Sequence, residues 1–136
     1  MRTTRLIAFA LLVATVLTGC RKPVADVRDN LVAIYSVTET WTENGKTMSK
    51  PAFTMTIEKS VINSEMILLN NFANYGAGVT AEATTNGFIL TIPRQTLSNL
   101  KVIAGSGNLI SSDLIFTYTE SYNGVSIEIA AKAKMK

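Results

Sequence analysis

From Val32 onward, apolar and polar side chains alternate with a period of two. Phe53, Met55 and Ile57, then Val79, Ala81 and Ala83, then Phe88, Leu90 and Ile92, then Val125, Ile127 and Ile129 each set one face toward a core. These runs are rich in Val, Ile, Thr, Phe and Tyr, which fit a pleated, half-buried surface. Between them stand Asn44-Gly45, Asn86-Gly87 and Asn123-Gly124, dipeptides suited to tight turns that need positive φ. The pattern predicts eight strands, over 32–42, 51–59, 65–71, 78–84, 87–93, 100–109, 113–121 and 124–134. The connections are too short for parallel crossovers, so consecutive strands pair antiparallel. An all-β, eight-stranded meander closes most economically into a barrel or a nearly closed clam, which removes exposed edges. A two-sheet sandwich is the rival, and it usually needs longer crossing connections than this chain has.

The first thirty residues read differently. Met1 to Arg5 carry two positive charges, Leu6 to Leu17 are uncharged and apolar, and small Gly19 precedes Cys20, the three-part layout of a cleaved signal peptide. Twelve apolar residues reach only about 18 Å as a helix, whereas a hydrocarbon core needs about 20 residues, so this segment does not read as a retained span. Leu17-Thr18-Gly19-Cys20 resembles a bacterial lipobox. The resemblance implies that the Cys20 thiol is joined to diacylglycerol, that the leader is cut before Cys20, and that the new amino terminus is acylated as well; such chains give stable membrane attachment. Arg21 to Asn30 is polar and contains Pro23, so it reads as a tether with at most one helical turn over Val24 to Leu31. The organisation is thus a signal peptide over 1–19, a lipidated tether over 20–30 and a barrel domain over 31–136. Removing 19 of the 136 residues leaves 117, enough for one domain.

Charge and composition narrow the function. Arg2 and Arg5 leave with the leader, so 13 basic residues become 11 against 10 acidic ones, a net charge of +1. Apart from Lys132, Lys134 and Lys136 the cations are scattered, and that trio alternates with Ala131, Ala133 and Met135 as the solvated face of a last strand. Nucleic-acid binding has no electrostatic footprint here. Cys20 is the only cysteine, so its acylation leaves no thiol for a disulfide. No histidine occurs, which removes Cys/His and Ser/His nucleophilic machinery, the usual zinc ligands and the commonest general base. Gly105-Ser106-Gly107 lacks the third glycine of a dinucleotide turn and the Gly-Lys-Ser/Thr ending of a P-loop; it reads as a place where a strand bends or packs closely. The expectation is a protein without cofactor or metal that is not an enzyme.

Asn30 to Trp41 (NLVAIYSVTETW), Ile67 to Phe72 (ILLNNF), Leu90 to Gln95 (LTIPRQ) and Ile103 to Leu109 (IAGSGNL) resemble the small lipocalin-like, calycin-type lipoproteins of Bacteroidota. The resemblance covers nearly all of Leu31 to Ala133. It implies the barrel and carries no catalytic set. One departure is Ala33-Ile34-Tyr35, where the family more often has Gly-Thr-Tyr. Arg21 follows Cys20, and no aspartate stands there to resemble an inner-membrane retention signal, so default transport leads to the outer membrane. Arg21-Lys22-Pro23-Val24-Ala25 also lacks the acidic residues that surface-exposed relatives tend to carry, which favours the periplasmic side.

A meander gathers every second loop at one rim. That rim receives Thr42–Lys50, Asn71–Ala77, Arg94–Asn99 and Ser121–Asn123, bringing Phe72, Tyr75, Arg94 and Tyr122 together with Trp41 at the edge. Ligand sites favour such mouths, with aromatic walls and few polar groups. Alternatively the aromatics plug the barrel, since eight strands leave an interior that side chains just fill. Glu39 continues the face of Tyr35, Val37 and Trp41, and Glu120 that of Leu114, Phe116 and Tyr118. Both belong near this rim, separated only by the last strand, where they share a polar ligand, a cation or a raised pKa, or simply mark where an inward face meets water. Two functions follow from different classes. One is a membrane-anchored lipoprotein holding a small apolar ligand at this rim. The other is an accessory protein with a filled interior that docks on an envelope partner, with Trp41, Tyr75 and Arg94 as anchors.

Overall fold

The computed structural model describes residues 22–136; the signal segment and Cys20 lie outside them. Nine antiparallel strands follow one another: β1 (Ala33–Glu43), β2 (Lys46–Ser49), β3 (Phe53–Lys59), β4 (Met66–Asn70), β5 (Thr80–Asn86), β6 (Ile89–Thr96), β7 (Val102–Ile110), β8 (Asp113–Tyr122) and β9 (Val125–Met135). Pairing of β1 with β9, from Tyr35↔Met135 to Trp41↔Ile129, closes eight of them into a barrel. The barrel alternative therefore holds over the clam and the sandwich. Strand ends fall within a few residues of those expected from the alternation. Asn44-Gly45 and Asn123-Gly124 turn with positive φ at both residues, whereas at Asn86-Gly87 only the glycine is left-handed.

The strand not foreseen is β2, in the stretch assigned to a rim loop. It continues the hairpin begun at Asn44-Gly45, and its register on β1 differs by one residue from that of β3: Thr40 faces Ser49, but Val37 faces Phe53. Two residues of β1 thus oppose three residues of the partner, a β-bulge at Lys50–Ala52. Pro51, which cannot donate to the ladder, sits in the bulge. The extra residue flips the alternation. Lys50, which the phase of Phe53, Met55 and Ile57 would send outward, instead lies opposite buried Glu39, its N–H donating to the Glu39 carbonyl at 3.2 Å.

A second bulge interrupts β6. Ile92 faces Gly105 but Gln95 faces Ile103, so Pro93-Arg94 carries the extra residue. By the β5–β6 register Pro93 falls opposite Glu82, where it has no N–H to offer. The Gln95 carboxamide fills that place: Oε1 accepts from the Glu82 N–H at 2.8 Å and Nε2 donates to the Glu82 carbonyl at 2.7 Å.

The interior is packed with Tyr35, Val37, Met55, Ile57, Ile67, Leu69, Phe72, Leu90, Ile92, Leu114, Phe116 and Tyr118, all essentially without solvent contact. Phe72 meets Tyr118 edge-on with centroids 4.8 Å apart, and Phe116 lies 6.1 Å from Tyr118. Gly105 and Gly107 make this packing possible. An added Cβ would fall 2.4 Å from the Thr117 carbonyl at Gly105 and 2.3 Å from the Phe116 Cβ at Gly107, so β7 and β8 approach too closely for any side chain there. The close-packing reading of the Gly-Ser-Gly run is thus what the strand pair requires. Phe88 departs from expectation: it occupies the β5–β6 turn and is exposed, and the inward face of β6 begins at Leu90.

At the end opposite the predicted rim, a 3₁₀ turn at Val27–Asn30 precedes β1. Asp26 caps it by accepting from the Arg28 N–H at 3.0 Å, and the Arg28 guanidinium reaches the carbonyls of Ser60, Asn63 and Met66. Arg28 also pairs with the Asp26 carboxylate at 2.7 Å, and Lys59 reaches both Asp26 and Asp29. Leu31 is fully buried. Residues 26–30, expected as tether with at most one helical turn, are therefore fastened to the β3–β4 loop.

Candidate functional site

The segment after β4 folds over the predicted rim. Asn71, Ala73 and Asn74 all adopt left-handed backbone, at φ 59°, 54° and 60°, which turns the chain sharply enough to push Phe72 and Ala73 into the barrel. The Asn71 side chain holds the turn, Nδ2 donating to the Thr54 carbonyl at 2.7 Å and Oδ1 accepting from the Gly76 N–H at 2.9 Å. Phe72 thereby serves as the plug, and Tyr75 is left facing the mouth.

Beneath this loop two Glu-Lys-Tyr groups lie side by side. The inner one centres on Glu39, 1 % exposed. Tyr118 Oη donates to Glu39 Oε1 at 2.8 Å, and Lys50 Nζ stands 3.0 Å from Oε2. The lysine's direction of approach gives Oε2 an ionic partner without a hydrogen bond, while Lys50 donates to the Ala73 carbonyl at 3.2 Å and so fastens the plug loop. Burial, together with the neighbouring Glu39 carboxylate, pushes the Tyr118 hydroxyl far above the usual phenol range.

The outer group centres on Glu120, 7 % exposed. Lys101 Nζ lies 2.5 Å from Glu120 Oε1 and donates to Tyr75 Oη at 2.9 Å, while the Tyr75 hydroxyl donates to Glu120 Oε2. The same ammonium sits 4.3 Å from the Tyr75 ring centroid, and Lys50 sits 5.1 Å from it on a cation–π approach. Burial lowers the Lys101 pKa, and repulsion from Lys50 lowers it further. Burial raises the Glu120 pKa against the opposing pull of Lys50, with Glu39 adding to the rise.

A cleft of about 250 Å³ opens over the outer group, lined by Trp41, Glu43, Lys50, Tyr75, Lys101, Glu120, Ile127 and Ile129. Trp41, Ile127 and Ile129 form its apolar wall, and the lysines, Tyr75 and Glu120 its polar floor. Of the residues singled out from sequence, Trp41, Tyr75 and Glu120 line this cleft and Glu39 lies just below it. Phe72 is buried in the core. Arg94 lies elsewhere, in a shallow depression on the outer wall with Leu100, Val102 and the Asn123-Gly124 turn. Tyr122, exposed but in phase with Glu120 on β8, borders both that depression and a hollow it shares with Lys101, Glu120 and Ile127 beside the cleft. The two glutamates do not share one ligand position, because each has its own lysine and tyrosine.

Glu43, Lys50, Lys101, Ile127 and Ile129 were absent from the sequence-derived set. Lys101 was legible, lying just before β7 and two residues before inward Ile103, in phase with that face. Lys50 was not legible from alternation, and only Pro51 signals the bulge that turns it inward. Among the described residues, no cluster of three or more His, Cys, Asp or Glu is arranged to hold a metal ion, and no helix is long and apolar enough to cross a membrane. No protein-family model matches this chain, and no curated protein sequence matches it.

Proposed function

We propose that the protein is a non-enzymatic lipoprotein, lipocalin-like in architecture, anchored through acylated Cys20 in the outer membrane with its barrel on the periplasmic side. Its rim cleft takes a small ligand with an apolar body and a polar, preferably anionic, end. The observation that carries this reading is the cleft's division into an apolar wall of Trp41, Ile127 and Ile129 and a polar side where Lys50 and Lys101 stand with Tyr75, Glu43 and Glu120. An anion entering there relieves the repulsion between Lys50 and Lys101, while the apolar body removes the wall from water. The size of the cleft restricts the ligand. Pockets that enclose drug-sized molecules measure roughly 300–1,000 Å³, so this one suits a compact molecule or the end of a longer one.

Native mass spectrometry of the protein isolated from its own cell envelope tests this reading. A reproducible small-molecule adduct that Lys101→Met diminishes is expected. Its absence from wild-type protein, together with a reproducible crosslinked envelope protein, would favour the second reading, a docking role. That reading draws on the filled interior and on the outer-wall depression, where Arg94 and Tyr122 stand beside exposed Leu100, residue types suited to an interface anchor. Proteinase treatment of whole cells checks the side: protection while the outer membrane is intact is expected.

A further inference from the structure

The rim opposite the cleft is apolar at its tips. Val61 and Ile62 in the β3–β4 loop are 98 % and 95 % exposed, Phe88 projects from the β5–β6 turn, and Ile110 leads into the β7–β8 turn. Single exposed hydrophobics need no explanation, but here each successive loop of one rim offers one. Two adjacent β-branched residues at the tip of an otherwise polar loop, Ser60 to Glu65, are hard to account for as solvated surface.

The chain enters the barrel at this same rim. Arg28 fastens the entry turn to the carbonyls of Ser60, Asn63 and Met66, directly beside Val61 and Ile62. From Asp26 back to Cys20 the backbone spans at most about 22 Å even when fully extended. An eleven-residue strand such as β1 is itself about 36 Å long. An anchor at Cys20 therefore keeps this rim near the bilayer, and the short tether disfavours presenting the cleft rim to it. β9 also ends here, bringing exposed Lys134 and Lys136 to this end, the latter donating to Thr54 Oγ1 at 2.9 Å; exposed Glu58 and Glu65 are the opposing charges, since Asp26, Asp29 and Asp113 are already ion-paired.

We infer that this rim is the membrane-contacting end of the domain, with Val61, Ile62, Phe88 and Ile110 seated in the headgroup layer of a phospholipid bilayer and the cleft turned away from it. The inference rests on the anchoring at Cys20 proposed above. It adds that the barrel stands on the membrane in one orientation rather than swinging on its tether. Isolated insertion of a few side chains is weak, but the anchor makes it intramolecular, so modest apolar contact suffices to orient the domain.

Site-specific fluorescence on the full lipidated protein tests it. With the Cys20 thiol acylated, an introduced cysteine is the only reactive thiol, so Ile62→Cys, Phe88→Cys and, at the cleft rim, Asn44→Cys can each carry an environment-sensitive dye. The proteins are reconstituted into protein-free vesicles of phosphatidylcholine and phosphatidylglycerol that contain a quencher in the acyl region. Blue-shifted emission and loss of about half the intensity at residues 62 and 88, with neither change at 44, is the expected result. Adding Val61→Asp to the Phe88→Cys protein should reduce quenching at 88 while the protein still floats with the vesicles. Co-flotation without quenching at 62 and 88 overturns the orientation and leaves the anchor intact. Failure to co-float overturns the anchor and the orientation together. Dyes that stay unquenched in vesicles yet become shielded from soluble quencher in native envelopes would assign the rim to a protein partner and overturn the lipid assignment.

Discussion

The two Glu-Lys-Tyr groups are built from the same three residue types, yet their surroundings give them different work. Glu39, Lys50 and Tyr118 lie against the plug, with the carboxylate in the core and the lysine spent on the Ala73 carbonyl. Glu120, Lys101 and Tyr75 line the cleft; the two lysines are equally exposed, but Glu120 is less deeply buried than Glu39, and Lys101 bonds only within its own group. The inner group ties β1, β8 and the plug loop together. The outer group is the one open to the cleft along its whole length. Composition alone does not separate a structural ion pair from a binding one; depth and the remaining partners do.

The largest expected effect comes from removing the geometry beneath the inner group. Gly105→Ala places a Cβ 2.6 Å from the Tyr118 Cβ and against backbone that cannot yield, so chemical denaturation should report a loss of about 3 kcal/mol or more and weakened closure of β7 on β8. Glu39→Gln comes next. It leaves Lys50 without its ionic partner and Tyr118 with a weaker acceptor, and about 2–3 kcal/mol of stability should disappear in the same assay. A loss as small as that of the outer mutant would break the comparison.

Alkaline titration separates core tyrosine from cleft lysine by sign. Burial raises the pKa of Tyr35 from 10.0 to about 12 and moves Tyr118 in the same direction, so above pH 10 the unfolded chain gives up protons that the folded chain keeps. Stability therefore falls as pH rises, by about 2–3 kcal/mol between pH 10 and 12 from Tyr35 alone. Lys101 acts oppositely. Its folded pKa lies below 10.5, so its contribution grows as pH climbs toward that value. Tyr35→Phe should flatten the alkaline fall, and Lys101→Met should remove the opposing rise, both read from unfolding midpoints across pH.

The smallest effect belongs to Glu120→Gln, about 1 kcal/mol or less, because Lys101 can turn to water. Its signature lies in mild acid. The raised Glu120 pKa means that wild-type stability falls as pH increases from 4.5 through the folded value, and Gln should abolish that slope. If the cleft takes an anion, affinity measured by calorimetry should rise as pH drops through the same window, when protonated Glu120 releases Lys101.

Much of this architecture was legible. The alternation around Met55, Ala81 and Ile129 placed the strands, and the order of short loops forced a meander. Glu39 and Glu120 were readable as inward residues near one rim because they continue unbroken faces. Lys50 was hidden because a bulge breaks the phase that alternation depends on. Phe72 was placed at the rim with mouth and plug both open, and the plug is what it forms. The turn that drives it inward was not readable, because left-handed Ala73 leaves no signature: such a conformation is expected of glycine or asparagine, and alanine adopts it here under the hold of Lys50 and the core. Arg94 belonged to the right end of the barrel but to its outer wall, and Pro93 beside it was the available sign of a second phase break; Tyr122, in phase with Glu120, stands at the edge of the cleft as the alternation implied.

The Gln95 carboxamide has a mechanical consequence. The ladder between β5 and β6 runs only from Thr84↔Thr91 to Asn86↔Ile89, and toward the cleft rim a side chain stands in for backbone at Glu82. A hoop of staves fails at its shortest joint. Here that joint is latched by one rotatable amide, and amide hydrogens along β5 and β6 should exchange sooner than those along β8. The barrel thus carries a seam, and local opening is expected to begin there before it reaches β8.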